Sequence, residues 1–127
     1  MLFERMMKDH SRTEGAAVVT DLRGIDETFV GNRHIIYALY PDQNVSVRVF
    51  DGREGKNCVF SVGYSILNRT ATVDVGKLML KYGGGGHRRV GTCQVPFEDA
   101  DRVLSEILEE INSQNWQMLN IAGLEEF

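Results

Sequence analysis

The sequence predicts an α+β fold in which helices pack on a β-sheet, and three observations carry that expectation. Val45, Val47 and Val49 alternate with Ser46, Arg48 and Phe50, the period-two pattern of a strand with one buried face. Cys58 to Tyr64 (CVFSVGY) returns after a polar turn opened by Asp51-Gly52, a connection short enough to require antiparallel pairing. Val103, Leu104, Ile107, Leu108 and Ile111 then fall on one stripe of a helix expected over residues 98–112. With 127 residues, 43% hydrophobic and 25% charged, the chain has the make-up of one globular domain rather than of a disordered segment.

The other elements follow in chain order. Leu2, Phe3, Met6 and Met7 form one apolar stripe of a short helix, and residues 1–15 read as the end of a longer helix with a linker. Ala16 to Val19 is a small strand, and Asp21 to Arg33 a polar loop. His34 to Tyr40 (HIIYALY) is a continuous apolar run closed by Pro41-Asp42, which predicts a well-buried strand headed by a packed His34. Asp74 offers a side-chain cap to a helix from Val75 to Tyr82, and Gly83 supplies the residue that ends it. Gly91 to Val95 is a further strand stopped by Pro96. The domain proper is expected over residues 16–113. The tail, 114–127, mixes Trp116, Leu119 and Ile121 with polar residues and carries no readable pattern.

No apolar stretch approaches the ~20 residues that span a bilayer, and no secretory signal is visible. Cys58 and Cys93 do not make a disulfide framework and read as small core residues. These features predict a soluble, cytoplasmic protein with no membrane partner. The net charge of −4 is unevenly spread: between Asn68 and Gly91, Arg69, Lys77, Lys81, Arg88 and Arg89 face Asp74 alone. From Phe97 onward, eight acids face Arg102 alone. An acidic chain with one basic segment suits a single anionic-ligand site better than a general nucleic-acid coat. On charge alone, two solvated faces are the better explanation.

Tyr82-Gly83-Gly84-Gly85-Gly86-His87-Arg88-Arg89 is the sharpest signal, a glycine-rich loop between a helix and a strand. Four ordered glycines forfeit about 1 kcal/mol each relative to alanine, which is tolerated where backbone must approach a ligand closely. Successive glycine amides are expected to point at one anion, with His87, Arg88 and Arg89 adding side-chain donors. Neither the Walker A nor the G-x-G-x-x-G spacing is present, and a flexible hinge with an incidental basic end is the plainer alternative.

The run GGGGH with its two following polar residues, together with the Thr72-Val73-Asp74-Val75-Gly76-Lys77-Leu78 helix start, resembles the DHH-associated domain. That is the C-terminal, substrate-binding domain of the DHH-family phosphoesterases. The resemblance covers about Ala16 to Glu110 and implies a mixed sheet with helices on one side. FSVGYSILNR before the helix and GGGGHRRVGTC after it are most similar to the exopolyphosphatase-like branch. Two departures stand out. The family's Ala-Ala-Gly after the loop is here Val90-Gly91-Thr92, and its Ser-x-Arg is here Ser61-Val62-Gly63. Asn68-Arg69 is the expected substitute for the missing arginine.

The resemblance implies a substrate or phosphate site built from Gly83, Gly84, Gly85, Gly86, His87, Arg88, Arg89, Asn68, Arg69 and Ser61. It also implies a catalytic domain holding Mn²⁺ or Mg²⁺ elsewhere on the same polypeptide. This sequence has only His10, His34 and His87, and Asp9-His10-Ser11 is a partial echo of the Asp-His-His motif in which Ser11 cannot replace an imidazole. A two-metal centre needs several converging carboxylates and imidazoles, so no metal or catalytic residue is expected in this chain and it is expected to be inactive alone. The expected partners are a phosphate-bearing small molecule or short oligonucleotide, the catalytic domain, and a second copy of the chain. A nucleic-acid-binding module, like the related domain that ends alanyl-tRNA synthetases, is the alternative. The acidic net charge and the want of aromatics beside the basic loop argue against base stacking there. A third reading is an interaction domain whose glycine loop is vestigial.

Overall fold

A computed structural model describes residues 2–25, 35–52 and 56–125. Helix α1 (Leu2–Asp9) leads into strands β1 (Ser11–Glu14) and β2 (Ala17–Asp21), helix α2 (Ile35–Leu39) and strands β3 (Val45–Asp51) and β4 (Asn57–Tyr64). Helix α3 (Val75–Leu80), strands β5 (Gly85–Gly86) and β6 (Val90–Pro96), a 3₁₀ turn (Phe97–Asp99) and the 26-residue helix α4 (Ala100–Glu125) complete the chain. The strands form one six-stranded sheet in the order β1-β2-β3-β4-β6-β5. Among the described strands only β2 and β3 run parallel, so the sheet is mixed and the α+β class holds.

Each valine of the 45-47-49 set lies on one face of β3, beside Phe60, Cys58 and Val62 of β4. Val75, Leu78 and Met79 of α3, and all five residues of the α4 stripe, cover that face. Asp74 caps α3 as expected, its Oδ1 accepting from the Lys77 amide at 3.1 Å.

HIIYALY is not a strand. Its described part is helix α2, in which Ile36 and Tyr37 are buried and Ala38 is exposed. Topology explains the difference: β2 and β3 pair side by side in parallel, which requires a crossover between them, and α2 lies on that connection. A short apolar run reads equally as buried strand or buried helix, and here tertiary structure decides. Ile36 and Tyr37 join Met7 and Val18 in a second, smaller core on the opposite face of the sheet. Helices therefore sit on both faces, not one. Val18 packs against this core and Val19 against the larger one, so β2 is buried on both sides.

The segments 26–34, including His34, and 53–55 lie outside the described residues, as do the side chains of Trp116, Leu119 and Ile121. The expected linker over residues 1–15 already contains part of the sheet, because Ser11–Glu14 pairs antiparallel with β2. The unread tail continues α4 as far as Glu125. Among the described residues no helix is long and apolar enough to cross a membrane.

Candidate functional site

The glycine run forms the first arm of a hairpin, with β5 paired to β6 through Gly85–Thr92 and Gly86–Gly91. Gly83, at φ +79°, ends α3, and its amide bonds the Leu80 carbonyl at 3.1 Å while that of Gly84 bonds Met79 at 3.0 Å. A Cβ on Gly84 would overlap the Thr92 carbonyl, and one on Gly86 would overlap Val90 and Gly91. Close approach of two backbones is what these positions require. The expected array of amides aimed at an anion is not what the loop forms. The His87 amide is likewise taken, by the Val90 carbonyl at 2.7 Å.

What the hairpin presents is its tip, Arg88-Arg89. The Arg88 carbonyl accepts from the Val75 amide and the Arg89 carbonyl from the Tyr64 amide, each at 2.9 Å. The tip backbone is thus fixed to the start of α3 and the end of β4, while both arginines remain exposed. Arg88 Nη2 also reaches the Thr72 carbonyl at 3.4 Å.

Opposite the tip runs the segment from Ser65 to Ala71. Ser65 is 3% exposed, and its Oγ accepts from the amides of Leu67 and Asn68 at 3.1 and 3.0 Å, which folds the segment into a tight turn. Asn68 donates to the carbonyls of Pro41 and Asp42 and accepts from the Thr70 hydroxyl at 2.7 Å. It holds the turn against the loop after α2. Arg69 is exposed, and its Nε donates to the Ile66 carbonyl at 3.4 Å.

Between tip and turn lies a cleft of about 490 Å³, within the size range of small-ligand sites. Ser61 and Gly63 of β4 form its floor, and Tyr37, held by a 2.9 Å hydrogen bond between its Oη and Ser46 Oγ, stands at its edge. Of the expected site residues, the cleft gathers Ser61, Arg69, Arg88 and Arg89. Gly83, Gly84, Gly85, Gly86, His87 and Asn68 do not line it. Sequence reasoning missed Tyr37, Ser65 and Ile66, which reach the cleft from a crossover helix and a turn without any local motif. Among the described residues lining it there is no carboxylate, so three arginines border one cavity that no acidic side chain shares.

A second cluster surrounds His10, with Asp9, Ser11, Arg12, Asp21 and Arg23 about a hollow of about 420 Å³. Arg23 binds the Asp21 carboxylate through Nε at 3.0 Å and Nη2 at 2.7 Å, and holds its pKa below the usual carboxylate value. Among the described residues no group of three or more His, Cys, Asp or Glu side chains is placed to hold a metal ion. Cys58 and Cys93 are buried free thiols in the larger core, and burial pushes the Cys93 pKa up to about 11.

No family model and no curated protein matches the chain. Among solved structures it is similar to the pGpG-specific phosphodiesterase PggH from Vibrio cholerae, with 42% identity and a TM-score of 0.85 over 89% of this chain. It is also similar to an exopolyphosphatase-related protein from Bacteroides fragilis, with 13% identity and a TM-score of 0.64 over 87% of this chain. The second likeness is one of fold alone; the first extends to sequence. The chain spans only 39% of the Vibrio protein and 35% of the Bacteroides protein.

Proposed function

We propose that this chain is the DHH-associated, substrate-binding part of a DHH-family phosphoesterase, and that the cleft takes the phosphate of a short oligonucleotide such as pGpG. The observation that carries this reading is the convergence of Arg69, Arg88 and Arg89 on one cleft with no lining carboxylate. The 42% identity to a pGpG-specific phosphodiesterase supports the substrate class. In this reading Ser61 adds a hydroxyl donor, and the glycine arm sets the height of the arginine tip. The Mn²⁺ or Mg²⁺ ions and the groups that bind them belong to another part of a cytoplasmic polypeptide, and this chain alone hydrolyses nothing.

Calorimetric titration with pGpG tests the reading. Charge-assisted hydrogen bonds contribute about 1.5–3 kcal/mol, so Arg88→Ala and Arg69→Ala should each weaken binding about tenfold or more. His87→Ala should change it little, because His87 does not line the cleft. Unchanged affinity in both arginine variants would refute the site. Tight binding of long RNA by those same variants would favour the nucleic-acid module instead.

A further inference from the structure

The cleft is not basic throughout. Ile66, 48% exposed, and Val90, 42% exposed, line it alongside the arginines. A single exposed apolar side chain is ordinary, but here two share one charged cavity. Val90 is the cross-strand partner of Gly63. A methyl group built on Gly63 meets Tyr37 Oη at 3.6 Å, Val90 Cγ2 at 3.7 Å and the Arg89 carbonyl at 3.8 Å, all ordinary contacts. Unlike Gly84 and Gly86, then, Gly63 is not demanded by backbone crowding. A glycine inside a strand weakens it, and what its missing side chain provides at this point is depth in the cleft floor.

We propose that Gly63, Ile66 and Val90 form a ring subsite, on which the planar heterocycle of a nucleotide lies while the arginines hold its phosphate. The inference rests on the cleft being the phosphate-ester site proposed above, and it assigns the base of that ligand to three named residues. A heterocycle removes Ile66 and Val90 from water and presents a face on which a guanidinium stacks. An inorganic polyphosphate would instead set charged oxygens against two apolar side chains that offer no hydrogen bond.

The test is calorimetric titration of the 127-residue chain with guanosine 5′-monophosphate, ribose 5-phosphate and inorganic tripolyphosphate. The nucleotide should bind about tenfold more tightly than ribose 5-phosphate, which carries the same phosphate without the ring. Gly63→Ala should lower nucleotide affinity about tenfold and leave ribose 5-phosphate affinity unchanged, with a thermal midpoint no lower than that of the parent chain. Ile66→Ser, at a solvent-exposed turn position, provides a second variant with the same expected pattern if alanine shifts the strand. Tripolyphosphate binding as tightly as the nucleotide, or either variant weakening all three probes alike, would overturn the subsite. If none of the three probes binds and Arg88→Ala changes nothing, the phosphate-site reading itself fails and the subsite with it.

Discussion

The two faces of the sheet do different work. One is closed: α3 and α4 cover it, and Val47, Val49, Phe60 and Val62 are fully buried there. The other is closed only in part, where α1 and α2 pack on Val18, while Ser61 and Gly63 of β4 floor an open cleft. The same strand thus contributes Phe60 and Val62 to the core and Ser61 and Gly63 to the site, by alternation alone. Stability and binding should therefore separate residue by residue along β4 and β6.

The sharpest way to break this comparison is a pair of substitutions on paired strands. Phe60→Ala empties the closed face and should lower unfolding free energy by about 3–5 kcal/mol. Thr92→Ala, on the exposed side of β6, should stay within about 0.5 kcal/mol. Urea denaturation measures both, and equal effects would mean the faces are not distinct. Next comes Gly86→Ala, in which a methyl would overlap Val90 and Gly91 at a φ of +147°. We expect a loss of about 2–3 kcal/mol, with disturbance of the Arg88-Arg89 tip seen as amide shift changes by NMR.

A smaller effect is expected from Asn112→Ala. The Asn112 side chain accepts from the Ala16 amide at 2.8 Å and donates to the Glu14 carbonyl at 3.1 Å, tying α4 to the β1–β2 turn. Losing both bonds should lower the unfolding free energy by about 1–2 kcal/mol in urea denaturation.

The smallest effect is electrostatic. Burial, and then a hydrogen bond from its hydroxyl to Glu106, push the Tyr82 pKa from its usual 10 up to about 12. The folded state therefore keeps this proton longer than the unfolded state does. The resulting stabilisation is complete below pH 10 and is lost as pH rises through about 12. Phenolate absorbance should show one late-titrating tyrosine, absent in Tyr82→Phe.

Elements whose burial is periodic were legible in the sequence: β3 from its alternating valines, α4 from its stripe, and the start of α3 from Asp74. Those whose character is set by a distant partner were not. Ile35–Leu39 is helical because β2 and β3 are parallel, and nothing within the run records that pairing. Gly85 and Gly86 have no side chains to form a pattern, and β6 makes them a strand. The site divides in the same way. Arg88 and Arg89 are legible as charge beside a glycine run and Arg69 as the stand-in for an arginine the resemblance leads one to expect, whereas Tyr37 and Ser65 enter the cleft only through tertiary structure. The glycine run does signal close backbone approach, and the backbone approached is that of β6.

The grip of Asn112 on Ala16 joins residues 96 positions apart, and it has a consequence for the nascent protein. Every strand is synthesised before α4 begins. A chain emerging from the ribosome can pair its whole sheet while only α3 is available to cover the closed face. Until the segment carrying Val103 to Ile111 follows, Phe60 and its valine neighbours lack their helical cover and form an adhesive surface open to misassembly.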